Sequence, residues 1–405
     1  MGLNKTAKAA LLATSAGLLP LAAAAEQTVL DLWTIDDPGE YHYVLAKEFE
    51  EANPGIKINV RTVQFGDMIN DLARAIAAGD APDVTYVDNP EVALLAARGL
   101  LLDIAPMIED SDIVNRDDIF PGPLSSVTWK DGIYGLPRGA NTIALYYNAD
   151  MFRAAGLDPD APPATWAELK AAAEALSDPD DNVYGLAFSA IATEEGTFQF
   201  LPWLQMAGGD YDHVDTEGGA EALAFWKSLL DAKLASPDTL IRSQWDSTAT
   251  FNAGNAAMAI SGPWELPRMA KEATFDYRAA MLPVPEAGAT RASALGEGDN
   301  VILASTNHPA EAFRFLEFLY AQMPRVWNEF GYLPAAEVAV ENPENEAIYR
   351  VFEESMKYAR NRGPSPEWPQ VSKAIQGAMQ SALTGQATPE EALATAQGKI
   401  DRVLD

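Results

Sequence analysis

Strand and helix signals alternate along this chain from Thr28, and that alternation limits the fold more than any other feature. "TVLDLWTI" (Thr28 to Ile35) reads as a buried strand, a helix runs over about Tyr43–Ala52, and Asn53-Pro54-Gly55 stops it. "IKINVRTV" alternates apolar and polar residues with period two, a half-buried strand. A second helix over about Asp67–Ala78 ends at Gly79, and "PDVTYVD" gives a third strand. A second round follows Arg138, with "NTIALYYN", a helix opened by the capping box Thr165–Glu168, "NVYGLAF" and the amphipathic "EALAFWKSLLDAK". "AAMAI", "YRAAMLP" and "DNVILAS" add strands. From Pro309 the chain reads as helical and closes on a second capping box, Thr388–Glu391. Alternation of this kind predicts an α/β fold with mostly parallel sheets flanked by helices. No flexible linker separates the two rounds, so segments are expected to cross between them. A single-domain enzyme of this length also satisfies these signals.

The first 25 residues stand apart. Lys5 and Lys8 precede an apolar run from Ala9 to Ala22, and Ala23-Ala24-Ala25 supplies a small-residue cleavage pattern before Glu26. The run is too short to span a bilayer, so it reads as an export signal. Removing 25 of the 405 residues leaves 380, and the net charge moves from −31 to about −33 with the loss of two lysines. That balance argues against nucleic acid, whose phosphates need a basic surface, and against anionic membranes. The chain has no cysteine, so an exported protein of this size relies on its core rather than on disulfides. A lipoprotein anchor through cysteine is likewise ruled out. A monomer free in the periplasm is expected, with no membrane insertion.

No cofactor or metal chemistry is legible. His42, His213 and His308 share no ligand spacing, and no nucleophile elbow, P-loop or dinucleotide fingerprint appears. "DPDDN" opens like a calcium loop, then Val183 replaces the required glycine and Ser189 the bidentate glutamate. No catalytic residues are assigned, although a carboxylate pair for glycoside hydrolysis is visible only in three dimensions.

"FNAGNAAMAISGPWELP" (Phe251 to Pro267) poses a narrower question. Ala256–Ile260 is a short buried strand, Gly262-Pro263 forces a turn, and Trp264 projects beyond it. The indole is either a core plug or the floor of a binding site.

Seven blocks resemble the sugar-type extracellular solute-binding proteins of ABC importers, the maltose-binding-protein-like family. They are "AAGDAPDVTYVD", "DGIYGLPRGANTIALYYNADMF", "TWAELKAAA", "FNAGNAAMAISGPW", "HPAEAFRFLEFL", "GYLPA" and "ALTGQATPEEAL". They occur in the family's order and cover nearly the whole mature chain. The resemblance implies a two-lobed periplasmic-binding-protein fold with a hinge of two or three crossings and a helical C-terminal region. One lobe would hold 26–139 plus 292–336, the other 140–291 plus 337–405. It also implies capture of a carbohydrate or polyol by hinge closure, with delivery to ABC permease subunits. A phosphorylated or sulfonated polyol and a polyamine are alternative ligands, and an exported glycan-processing enzyme is the more distant rival.

Sugar binding needs flat aromatic faces and hydrogen-bonding groups. The family block places Trp264 at the cleft wall, as a ligand platform. Asp36 and Asp37 follow the first strand at its carboxyl end, where open α/β sheets bind ligands, or form an Asx turn before Pro38-Gly39. Asp88 and Asn89 end the third strand in the same way, and Gln64 is a weaker case. Arg138 and Asn141 flank the first crossing, where Gly139 is expected to absorb dihedral change. Arg138 either meets a hydroxyl or anion, or locks one lobe through a salt bridge. Glu297, Asp299 and Asn300 lie in "LGEGDN", the return crossing that lines the family's site, and this acidic pair departs from the commoner small or aromatic residues. Trp203 in "FLPWLQMAGGD" and Trp368 in "PSPEWPQVS" read as loop residues beside prolines and are candidate second and third aromatics, with core packing as the alternative, and Arg362 is a candidate anion contact. Tyr41 and Tyr43 are possible rim contacts, whereas Trp33, Trp166, Trp226 and Trp327 read as packing.

Overall fold

A computed structural model describes Met1 and residues 27–405. The export-signal reading of the first 25 residues therefore lies outside the described residues.

Two sheets, each flanked by helices, form two lobes. The first has the strand order Ile56–Thr62, Thr28–Thr34, Val84–Asp88, Gly298–Ile302, Gly135–Pro137. Thr28–Thr34 pairs in parallel with both its neighbours, and Gly298–Ile302 runs antiparallel to both of its own. The second sheet has the order Tyr277–Ala280, Ala144–Asn148, Ala256–Ser261, Tyr184–Ala187. Here Ala144–Asn148 is the reversed strand. In both sheets the reversed strand is the one the chain enters directly from a crossing between lobes. A strand reached that way has no helical crossover behind it, so nothing forces it parallel to its neighbours.

The local signals act as expected. Thr165 and Glu168 exchange both capping-box hydrogen bonds, as do Thr388 and Glu391. Gly79 ends the helix Met68–Ala78 at φ 75°, the left-handed cap glycine favours. Val84–Asp88 is buried throughout, as a strand covered on both faces must be.

One element departs from the sequence reading. "FLPWLQM" lies inside the helix Glu194–Met206 despite Pro202. Nearly every side chain of this helix is buried, and tertiary burial outweighs the roughly 3 kcal/mol that an interior proline costs. Trp203 is therefore a core residue, packed against Trp166, Phe225 and Trp226. The candidacy of Trp203 as a cleft aromatic is corrected by that position. Trp33, Trp166, Trp226 and Trp327 are buried too.

The three crossings lie side by side. Ala140 and Leu333 exchange backbone hydrogen bonds at 2.7 and 2.9 Å, and Asn141 and Gly296 at 3.3 and 2.9 Å. Gly139 permits this by size, since a Cβ there would stand 3.0 Å from the Leu333 carbonyl oxygen. Its φ is outside the left-handed region, so in this conformation the glycine serves close approach. Among the described residues no helix is long and apolar enough to cross a membrane.

Candidate functional site

The carboxyl ends of the first sheet's strands carry a buried charge cluster. Asp36 follows Thr28–Thr34; its Oδ2 accepts from the His42 backbone N–H at 3.0 Å and meets His42 Nδ1 at 2.7 Å. Its Oδ1 accepts from Arg138 Nη1 at 2.8 Å. Arg138 Nε donates to Glu297 Oε1 at 2.6 Å, and Asn141 Nδ2 to Glu297 Oε2 at 2.7 Å. The Arg138 guanidinium also lies over the rings of Tyr332, Tyr86 and Tyr41, at 4.4, 4.8 and 5.4 Å from their centroids. Burial alone would raise the Asp36 carboxyl, but Arg138 and His42 hold it well below the ordinary range. Glu297 shifts the other way, because burial outweighs its pairing with Arg138.

Arg138 therefore spends its donors inside the first lobe, on the strand end before it and the crossing behind it. The salt-bridge alternative describes its contacts, and a ligand contact does not. Asn300 is similarly committed, its Oδ1 2.7 Å from His42 Nε2. It sits within the first sheet, on the strand Gly298–Ile302. His42, which carried no signal in the sequence, thus joins Asp36 to Asn300. Asp37 and Gln64 are exposed and join neither buried cluster. Tyr43 bonds Thr62 at 3.0 Å.

The glycines of "LGEGDN" make room for this arrangement. A Cβ on Gly296 would fall 2.2 Å from Asn141 Oδ1, and one on Gly298 would fall 2.2 Å from the Tyr86 ring. Glu297 between them has φ 89°, a conformation that costs a non-glycine residue about 1–3 kcal/mol.

A second cluster joins the lobes. Arg362 Nη1 and Nη2 each donate to Asp88 at 2.7 Å, and Nη2 also donates to Asn89 Oδ1 at 2.8 Å. Nη1 donates in addition to Glu194 Oε1 at 2.7 Å, at the start of the helix Glu194–Met206. Asp88 ends a strand of the first sheet and Glu194 belongs to the second lobe, so one guanidinium bridges the seam. This fork is the geometry that suits arginine over lysine. Trp368 opens the helix Trp368–Leu383 and is 1% exposed. Its Nε1–H donates to Glu194 Oε1 at 3.1 Å, and Ser372 also bonds Glu194. Trp368 thus steadies the carboxylate behind Arg362 and offers no ring face to a ligand, a correction to its candidacy as a stacking aromatic.

Trp264 is half-buried and lies back over its own turn, where a Cβ on Gly262 would fall 1.8 Å from the indole. The "GPW" triplet is explained by this contact: only glycine leaves room for the ring. Phe198 stands 6.3 Å away between ring centroids, and also lies 4.7 Å from the Arg362 guanidinium. Trp264 Nε1 is buried without a hydrogen-bond partner in the protein. A further aromatic pair spans the seam, Phe65 of the first lobe and Trp245 of the second, with centroids 6.0 Å apart. Sequence reasoning missed both residues. The signal was present in "RSQWD", where Ser243 caps a helix whose second residue is Trp245.

Several further polar atoms along the seam are buried without protein partners: Asp299 Oδ2, Asn361 Oδ1, Arg362 Nε and Asn141 Oδ1. Buried polar atoms are satisfied as a rule, so each of these is a donor or acceptor open to a partner from outside the protein. Candidates Asp88, Asn89, Trp264, Asp299 and Arg362 are brought together here. Asp36, Arg138, Asn141 and Glu297 form the layer behind them.

Comparison with known proteins agrees with this architecture. The family model for bacterial extracellular solute-binding proteins matches residues 33–323. An ABC-transporter solute-binding protein of Thermotoga lettingae, solved with alpha-D-tagatose, superposes with a TM-score of 0.86 at 29% identity, covering 94% of this chain and all of that one. The sn-glycerol-3-phosphate-binding periplasmic protein of Salmonella typhimurium is 26% identical over 400 residues, covering 89% of this chain and 88% of the relative. The maltotriose-binding protein of Pyrococcus abyssi is 26% identical over 370 residues, covering 87% and 77%. With two lobes, three adjacent crossings and a polar seam between the lobes, the chain belongs to the bacterial extracellular solute-binding protein family.

Proposed function

We propose that this protein is a periplasmic, monomeric binding protein that captures a carbohydrate or polyol between its lobes and delivers it to an ABC permease. The lobes are read as 26–139 plus 292–336 and 140–291 plus 337–405. The observation that carries the reading is the Arg362 bridge from Asp88 to Glu194, a buried contact that exists only while the lobes are together. The tagatose-bound relative supports the ligand class. The seam leaves only about 10 Å³ beside Arg362, room for one water, so the lobes must part to admit a sugar. Ligand contacts then favour closure by the difference in their free energy between the two states. No bond is made or broken.

A screen of melting temperature and calorimetric binding against saccharides, polyols, sugar acids and polyamines tests this. A sugar or polyol that binds at one site and is recovered unchanged is the expected result. Product accumulating beyond the amount of protein would refute it. A second reading, a phosphorylated polyol, is favoured by one observation, the glycerol-3-phosphate-binding relatives.

A further inference from the structure

The choice between a neutral and a phosphorylated ligand turns on the cavity beside Arg362. Its walls are Asn89, Pro90, Ser126, Asn361, Arg362 and Pro364. Asp299 stands directly behind, its Oδ1 3.3 Å from Ser126 Oγ. Arg362 spends both Nη groups on Asp88, Asn89 and Glu194, which leaves Nε–H as its unused donor. Asn361 donates through Nδ2 to Ser125, so the atom left over is the acceptor Oδ1. Asp299 Oδ2 is the third buried atom without a partner.

We infer that this cavity is a hydroxyl subsite in which Asn361 Oδ1 is the specificity-determining group, selecting an uncharged sugar or polyol terminus over a phosphorylated one. The inference rests on the capture reading above. A hydroxyl both donates and accepts, so it can accept from Arg362 Nε–H while donating to Asn361 Oδ1. Burial pushes the Asp299 carboxyl behind Ser126 well above the ordinary range, which disfavours its charged form there. An ionised phosphate oxygen has no proton for Asn361 Oδ1. It would also add negative charge beside Asp88 and Glu194, whose positive partner is already shared between them.

The test is calorimetry with matched pairs: D-tagatose and D-tagatose 6-phosphate, ribitol and ribitol 5-phosphate, D-glucose and D-glucose 6-phosphate. The neutral member of at least one pair should bind, with its phosphate at least about a hundredfold weaker. Asn361→Ala should weaken the neutral ligand about tenfold and narrow that ratio. Ser125→Ala, which removes the seam bond to Asn361 but keeps Oδ1, should weaken neutral and phosphorylated ligands alike and leave their ratio unchanged. A phosphate that binds as tightly as its neutral partner overturns the inference and leaves capture standing. Asn361→Ala without effect on that ratio, or Ser125→Ala narrowing it as much as Asn361→Ala does, also overturns it. A wild type that binds no member of any pair and no saccharide or polyol of the wider screen overturns the capture reading, and this inference with it.

Discussion

Asp88→Asn isolates the bridge on which closure depends. Arg362 donates twice to the Asp88 carboxylate at 2.7 Å, with Asp88 on the first sheet and the other carboxylate partner, Glu194, on the second lobe. The substitution keeps the volume but turns one acceptor oxygen into an NH2 group facing a guanidinium N–H. Arg362 retains Glu194, so no isolated buried charge results and the cost is that of one charged hydrogen bond, about 1.5–3 kcal/mol. Parting the lobes would separate Asp88 from Arg362 and expose it to water, where the change should be nearly neutral. The loss therefore falls on the closed state and should raise the Kd for a sugar by about 10–150-fold. Calorimetric titration of both proteins reads this directly, and the melting temperature of the unliganded protein should move far less. An Asp88→Asn protein that binds within twofold of the wild type would refute the claim that this contact belongs to closure.

Three other predictions follow from single residues. Trp264→Ala should weaken sugar binding by about 5- to 150-fold, as loss of a stacking ring costs about 1–3 kcal/mol. Gly262→Ala, which drives a Cβ into that ring, should reproduce the loss, and normal affinity in both would remove Trp264 from the site. Trp203→Ala should destabilise the fold by about 3–5 kcal/mol in denaturant titration, and a cost below about 1 kcal/mol would contradict its core position. Burial raises the Glu265 carboxyl from 4.5 to about 7, despite Arg268, so the folded state binds the proton more tightly than the unfolded state. Stability contributed by that proton is present below pH 4.5 and lost as the pH rises to about 7. Glu265→Gln should therefore gain stability over the wild type between pH 5 and pH 8, by about 1–3 kcal/mol; an equal gap at both pH values would refute this.

What the sequence made legible follows from how local each signal is. Strand and helix alternation, the two capping boxes and the Gly79 cap depend on neighbours a few residues apart, and the structure contains them. The turn after Ala256–Ser261 was legible too, although the reason for its glycine, contact with the Trp264 ring, needed coordinates. Trp203 was misread because Pro202 suggested a loop, while burial of the whole helix overrode the proline. Trp368 looked like a loop residue between prolines and instead opens a helix as a donor to Glu194. Arg138 and Arg362 looked alike in the sequence. What separates them is which lobe supplies their carboxylates, 102 and 159 residues away for Arg138, 274 and 168 for Arg362. Such pairings are set by the crossings of the chain, and no window of sequence contains them. The pair Phe65 and Trp245 was missed for the same reason.

The central claim is that a ligand closes two lobes, and small-angle scattering of the protein tests it most directly. With the tightest-binding sugar or polyol of the screen at saturation, the radius of gyration should fall, and Asp88→Asn should need more ligand to reach the same value. A radius of gyration unchanged by saturating ligand would contradict the account.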